Sequence, residues 1–284
     1  MTTDDAEGVC LPLYRTQASL ALATPENHVR ELTDWVEHAF VVRGEAVQQE
    51  GWESAYKWLR LAQGLRTMTF DMSYEDGGMC AVGDDFDAVW SEMMEEWQLH
   101  LVRLGYVRAA LEGFVRVLYP HSSQPATAIE EAEHHLSHRA DVWPLHAREV
   151  AQHLTAHTRD RADGTAVSVA SGVAQAIAVH HQVVHGLAGI PEPIHDVDAK
   201  VHAAGREAIC AAREASTAVM LGIQLLLARA LAEGSIAVLN EDKYLFDGRY
   251  VPDGAGGSRW VDDEMPYSEY LAVLHLEPGE PPEL

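Results

Sequence analysis

Histidine is the residue type in this sequence whose number and spacing could do chemistry. The chain contains 16 histidines, and 12 of them lie between residues 121 and 202. Three pairs have the spacing His-x-x-x-His, which places both rings on one face of an α-helix, one turn apart. Because two such imidazoles can share a metal ion, each pair is either a candidate metal site or an ordinary solvated pair on a helix. The pairs are His134/His138, His153/His157 and His181/His185.

Two motifs that are typical of metal enzymes are incomplete in this chain. Glu131-x-x-His134 is a single ExxH motif, whereas a carboxylate-bridged di-iron bundle needs two of them on different helices. The run DDFD at 84–87 resembles the aspartate-rich magnesium motif of helical terpene cyclases, but the apolar stretch 215–232 downstream carries no second metal motif. We therefore interpret these aspartates as the acidic start of a helix, where the helix dipole favours negative charge.

A more informative segment lies at residues 178–186, which read AVHHQVVHG. It resembles the RNxxVHG segment of HEPN domains, which are small helical bundles common in prokaryotic ribonucleases, toxins and phage-defence proteins. An ALEGF stretch at 110–114 is similar to the ALExL stretch of that family, and an Ala- and Leu-rich segment follows at 195–233. The resemblance therefore spans about residues 97–233. It implies a cytoplasmic, homodimeric protein of defence or toxin type.

The resemblance also implies a chemistry, in which Arg and His of an RxxxxH motif from two protomers meet at a dimer cleft. His185 matches the motif His, which acts on the ribose 2′-OH or on the leaving oxygen. His180 stands where the motif has Arg, and His181 matches its polar neighbour. The charge for the phosphorane is expected from a protonated His180, or from Arg148 or Arg139. No metal is needed, since the 2′-OH is an internal nucleophile; without the motif Arg, the alternative is a catalytically degenerate form.

The same helix also resembles the later helix of DinB-like metal bundles. In that family one His from an early helix joins a His-x-x-x-His pair around Zn²⁺ or another divalent metal. His181 and His185 match the pair, and His153 or His100 is the candidate third ligand. A three-His site leaves a coordination position open for activating water or a thiol. This second hypothesis is a metal-dependent enzyme.

Charge and cysteine content bound the remaining function classes. The formal net charge of −24 argues against general coating of DNA or RNA and against attachment to anionic membranes. It supports a third hypothesis, a non-enzymatic acidic protein that binds a basic protein partner. Any RNA would have to bind at a local site. The three widely spaced cysteines, Cys10, Cys80 and Cys210, predict neither a zinc knuckle nor a disulfide framework, which suits a cytoplasmic protein.

Hydrophobic periodicity predicts helices over most of the chain, and a mainly α helical bundle as the fold. The apolar segment 215–232 contains Gln224 and Arg229, which favours a buried core helix over a membrane span. Alternation of apolar and polar residues after Gly234 predicts a small C-terminal β-hairpin near Asp247-Gly248 and the Gly-rich turn. The predicted helices cover 25–40, 52–65, 85–118, 128–141, 144–159, 166–187, 195–233 and 267–274.

These elements suggest three regions. An N-terminal helical region covers 1–83, and the central, HEPN-like bundle covers 84–234. The third region, 235–284, holds the hairpin, the short helix and a tail.

Overall fold

Helices dominate the computed structural model, which describes residues 23–70, 81–120, 130, 132, 134–136, 169–186, 190, 201–239, 249–252, 258–261 and 267–277. Helix accounts for 77% of this part of the chain, so the prediction of a mainly α fold is confirmed. The long helices and the last short one are α1 (Pro25–His38), α2 (Ala46–Gly64), α3 (Ala81–Leu118), α4 (Val169–Val184), α5 (Val201–Glu233) and α6 (Tyr267–Val273).

Helix α1 begins where the sequence provides a cap. The Thr24 hydroxyl accepts a hydrogen bond from the backbone N–H of Asn27 at 3.2 Å. Pro25 occupies the first turn, where its missing N–H costs no helical hydrogen bond. The side chains of Leu32 and Trp35 are buried on the inner face of this helix, so packing of that face holds α1 in the bundle.

The apolar segment that was predicted as a core helix lies at the centre of the fold, in α5. Residues 215–228 are all buried, and side chains of this helix join those of α1, α2, α3 and α6 in one hydrophobic cluster. By length and composition alone α5 could cross a membrane, but 83% of its apolar window is buried inside the protein. This burial is typical of a core helix and confirms that prediction.

Helix α3 packs against α2 through small residues that bring the two backbones close. A Cβ added to Gly113 would lie 2.7 Å from the Cβ of Ala55, closer than side-chain atoms can approach. The rings of Trp52 and Phe114 meet edge to face, with centroids 5.0 Å apart, a favoured aromatic geometry. A second, smaller cluster joins the first half of α3 to α5 and includes Trp97 of α3.

Two short antiparallel strand pairs complete the described fold. The strands are β1 (Phe40–Val42), β2 (Ile236–Val238), β3 (Arg249–Pro252) and β4 (Ser258–Val261). Strand β1 pairs with β2 with Phe40 opposite Val238, and β3 pairs with β4 with Pro252 opposite Ser258. The predicted C-terminal hairpin is therefore present as β3 and β4.

The first strand pair was not predicted. The helical pattern at 25–40 was expected to continue through Phe40, but this residue lies in β1 and α1 ends at His38. Strand β2, which follows α5 directly, pairs with β1 and not with the C-terminal hairpin. The pair thus ties the end of α1 to the end of α5.

The main helix boundaries agree with the sequence pattern to within about six residues, as at α2, which starts at Ala46 and not at 52. Helix α3 starts at Ala81, four residues before the predicted start, so the proposed division after residue 83 falls within a continuous helix. The predicted helix at 128–141 is described only at residues 130, 132 and 134–136, which are helical. The helix at 144–159 lies outside the described residues, and the three-region division stays a prediction.

Candidate functional site

The C-terminal end of α4 carries three histidines of the segment 178–186, which are His180, His181 and His185. Helix α4 ends at Val184, and Gly186 adopts a left-handed conformation with φ of 66°, which glycine accepts most readily and which commonly ends helices. The backbone N–H of His185 still bonds to the carbonyl of His181, at 3.0 Å. His185 therefore directly follows the last residue of α4, and Gly186 ends the helical conformation.

His180 faces the neighbouring helix α3. Its Nδ1 lies 2.6 Å from Nη1 of Arg108, and its Nε2 lies over Gly105, 3.6 Å from where a Cβ on that glycine would be. A guanidinium carries only donors, so Nδ1 of His180 must accept this hydrogen bond. The ring is then neutral, with its proton on Nε2.

The electrostatics of His180 agree with a neutral ring. Burial, followed by the positive charge of Arg108 and the neighbouring imidazole of His181, lowers the pKa of His180 below its ordinary value. A protonated His180 was one expected substitute for the missing motif Arg, and the lowered pKa and the contact with Arg108 disfavour that form of the ring. The positive charge beside α4 belongs to Arg108 instead.

Arg108 belongs to a short charged network along α3. Its Nε donates to Oε1 of Glu112 at 3.1 Å, and Arg116 approaches the other oxygen of the same carboxylate at 3.5 Å. Two arginines share one glutamate, so the three side chains together carry one net positive charge. Sequence reasoning missed Arg108 because it lies 72 positions before His180, in a different helix.

His181 and His185 lie side by side on the outer face of α4. Their ring centroids are 4.1 Å apart with the planes tilted by 54°, and both residues are exposed. Val184, the residue before His185, is 64% exposed, and Ile190, five residues after His185 in the sequence, is 59% exposed. This end of α4 therefore presents a pair of exposed imidazoles next to an exposed valine.

Of the other predicted site residues, only His100 lies in the part of the chain that the structure describes. Arg148, Arg139 and His153 lie outside the described residues. His100, the other candidate third ligand, lies five positions before Gly105 in α3, about 140° away around the helix. In the part of the chain that the structure describes, no group of three or more His, Cys, Asp or Glu side chains could hold a metal ion.

His100 belongs instead to a buried cluster that the sequence did not predict. Its Nδ1 lies 3.2 Å from Nη1 of Arg103, and the same guanidinium pairs with Glu26 of α1 and donates to the carbonyl of Leu65 at 3.1 Å. The Arg103 side chain is fully buried. This cluster joins α1, the end of α2 and α3.

The pKa values in this cluster follow from burial and from the pairing of charges. Burial, then the nearby Arg103 charge, lowers the pKa of His100 to about 4. Burial raises the pKa of Glu26, but the charge and hydrogen bond of Arg103, a backbone hydrogen bond and the nearby His100 together hold that pKa below its usual value. The sequence could not predict this cluster, because Arg103 is a single basic residue in a helix with an ordinary amphipathic pattern, and no run of charged residues marks it.

A second buried polar network holds the C-terminal segment against the bundle. The Gln224 side chain of α5 lies 3.0 Å from Nε2 of His28 and 3.1 Å from Nδ1 of His275. All three residues are at most 1% exposed. Gln224, whose polarity favoured a core helix over a membrane span, therefore connects α1, α5 and the residues after α6.

Cys210 is disulfide-bonded. The wide cysteine spacing did not predict this bond. The other two cysteines of the sequence, Cys10 and Cys80, lie outside the described residues.

Comparisons with known proteins add no family or relative. No protein-family model, no curated protein and no solved structure matches this chain.

Proposed function

We propose that the protein is a HEPN-like ribonuclease of defence or toxin type, which cleaves RNA without a metal at the end of α4. The observation that carries this proposal is the 2.6 Å contact between Arg108 and His180. This contact supports the idea that Arg108 supplies the guanidinium that the HEPN motif has at the position of His180. Arg108 thus takes the role that was expected of a protonated His180, Arg148 or Arg139.

The residues of this site can perform the steps of the reaction. One imidazole removes the proton from the ribose 2′-OH, whose oxygen attacks the adjacent phosphorus. The P–O5′ bond then breaks, and a second imidazole protonates the leaving oxygen. The products are a 2′,3′-cyclic phosphate and a 5′-hydroxyl. We assign acid–base transfer to His185 and His181, and stabilisation of the phosphorane charge to Arg108.

His180 acts through Arg108 in this proposal and is a positioning residue. Its Nδ1 accepts from the guanidinium, which fixes one end of the fork while Glu112 fixes another. A guanidinium held at two points needs little rearrangement when charge develops on the phosphate, and such preorganised donors contribute strongly to catalysis. The Arg108 side chain is 25% exposed, and in this proposal its remaining N–H groups bind an anionic oxygen of the phosphate.

A homodimer through the end of α4 is part of this proposal. Val184, which precedes His185, and Ile190, five residues after it in the sequence, are both exposed. Exposed apolar side chains gain stability when another surface covers them. A dimer across this surface would bring the two copies of His185 and Arg108 towards one cleft. Because the overall charge is −24, RNA could bind only at a locally positive site, which Arg108 and Arg116 would provide.

Cleavage of a labelled single-stranded RNA in EDTA tests the proposal. We expect H185A to lower the rate by about 100-fold or more, the size of a general acid–base contribution, and R108Q by about 100-fold or more through loss of charge stabilisation. H38A removes an exposed histidine of α1 and is the matched control, with an unchanged rate. Circular dichroism checks that each variant is folded.

Two results would overturn the ribonuclease proposal. One is a cleavage rate that H185A and R108Q leave unchanged. The other is equal cleavage of a substrate in which the 2′-OH next to the scissile phosphate is replaced by hydrogen, since the mechanism requires that hydroxyl. Loss of cellular toxicity in H185A would agree with the toxin role.

The net charge supports a second candidate function, the binding of a basic protein partner. An excess of 24 negative charges attracts cationic surfaces over long range at low ionic strength. If the purified protein cleaves no RNA but binds a basic protein in a salt-dependent way, with H185A binding equally well, this second function is favoured.

A further inference from the structure

The pair formed by His181 and His185 has a geometry with a use besides acid–base chemistry. The two side chains are one helical turn apart on α4, their ring centroids are 4.1 Å apart, and both are exposed. Exposed side chains can change rotamer at little cost. The two rings can therefore change orientation to accommodate a ligand placed between them.

A transition-metal ion fits between two such rings. Zinc binds imidazole nitrogen at about 2.0–2.1 Å, so two nitrogens around a tetrahedral ion lie about 3.4 Å apart. Rings whose centroids are already 4.1 Å apart reach this spacing through rotation about their own side-chain bonds. Imidazole also suits Zn²⁺, Ni²⁺ and Cu²⁺, whereas Mg²⁺ prefers oxygen ligands.

The site can supply only two protein ligands from the described residues. No third His, Cys, Asp or Glu stands close enough there to complete a group of three. A structural zinc site uses four protein ligands and a catalytic site commonly uses three. Two ligands leave the other positions to water, so an ion held this way exchanges with the solution.

We propose that His181 and His185 form an exchangeable site for a divalent transition-metal ion, and that the bound ion inhibits the acid–base site. The inhibitory part rests on the proposed ribonuclease function. A nitrogen that donates its lone pair to a metal cannot accept a proton, so a metallated pair can neither take the proton from the 2′-OH nor deliver one to the leaving oxygen. Zn²⁺ and RNA cleavage are then mutually exclusive at this site.

Calorimetric titration of the untagged, metal-free protein with Zn²⁺ tests the binding. We expect the double variant H181Q/H185Q to bind one equivalent fewer than the wild type, while H38Q, which removes an exposed histidine elsewhere, keeps the full stoichiometry. Mg²⁺ should produce no corresponding step. Because both replaced side chains are exposed, the double variant should keep the wild-type melting temperature. An unchanged zinc stoichiometry in the folded double variant overturns the metal site.

The inhibitory part has its own measurement. RNA cleavage by the wild type should fall as Zn²⁺ occupies the site, with the same midpoint as the binding isotherm, and return on addition of EDTA. Stimulation of cleavage by Zn²⁺ would overturn inhibition and favour the metal-dependent alternative. If the metal-free protein cleaves no RNA, the ribonuclease proposal and the inhibition fail together, whereas the isotherm still decides the metal site.

Discussion

His100 shows how strongly the fold controls the charge of a single residue. The side chain is 5% exposed, and Nδ1 can only accept from Arg103, since a guanidinium has no acceptor. Protonation would remove this hydrogen bond and place two cations in contact. Arg213 adds a further positive charge, and Glu26 opposes it, so the neutral imidazole is favoured down to pH about 4.

This constraint predicts an acid-sensitive stability. The unfolded His100 takes up a proton near its ordinary pKa of 6.5, whereas the folded one does so near pH 4. Between these values the unfolded chain binds more protons, so the free energy of unfolding falls as the pH is lowered. His100 contributes fully above pH 6.5, and up to about 3 kcal/mol is lost by pH 4.

Urea unfolding between pH 7 and pH 5 measures this effect, at values where Glu26 remains ionised. H100N keeps an acceptor for Arg103 but cannot titrate, so its stability should depend less on pH than that of the wild type. His180 contributes in the same direction, since its pKa is also lowered, and it is present in both proteins. Parallel pH profiles for the two proteins would contradict the prediction.

Single-residue roles were only partly predictable from sequence. Helical spacing correctly placed His181 and His185 on one face of α4. It could not identify Arg108, because the contact with His180 depends on how α3 and α4 pack. It also could not separate a solvated histidine from a buried one, since the burial of His100 depends on α1 and α5 covering α3.

At the scale of elements, the contact of α2 with α3 depends on a glycine. A Cβ at position 113 would lie 2.7 Å from the Cβ and 3.1 Å from the Cα of Ala55, and backbone atoms cannot move aside as a flexible side chain can. Gly64 ends α2 with no atom within 4 Å of an added Cβ. The two glycines therefore separate steric cost from the general effect of replacing glycine in a helix.

We predict that G113A destabilises the protein by about 1–3 kcal/mol, the usual cost of overpacking a core. G64A should be neutral or stabilise it by up to about 1 kcal/mol, because alanine restricts the unfolded chain and favours helix. Urea unfolding of the two variants gives both values. If G113A is as stable as G64A, the close approach of α2 and α3 is absent in solution.

Helices were more predictable than strands for a physical reason. The periodicity of α3 and α5 is local and long, so it is visible in the sequence. Strands β1 and β2 have three residues each and lie nearly 200 residues apart, so neither carries enough alternation to be recognised. Their pairing arises only once α1 and α5 have packed and brought Phe40 and Val238 together.

The charge of the whole molecule ties the two proposals together. A body with 44 acidic and 20 basic side chains repels RNA except where cations cluster, and it attracts divalent cations. An acidic ribonuclease with an exposed histidine pair would thus meet metal ions readily and RNA only at the end of α4. Composition predicted that the electrostatic potential of the protein is negative overall. Only the packing of α3 against α4 showed that Arg108 places a positive charge next to His180.

The same charge predicts how stability responds to salt. The excess negative charge repels itself in the compact state, and screening shortens from about 10 Å at 0.1 M to about 3 Å at 1 M salt. The described surface ion pairs, such as Lys57 with Glu53, contribute little that salt could remove. We therefore expect the melting temperature to rise as NaCl is increased from 20 to 500 mM.

Choline chloride at equal ionic strength is the control for this measurement, because it screens charge without offering a small cation for a specific site. An equal rise in both salts indicates screening of the net charge. A melting temperature that falls with either salt would mean that attractive ion pairs outweigh self-repulsion. Local ion pairs on the surface, such as Lys57 with Glu53, would then contribute more to stability than expected.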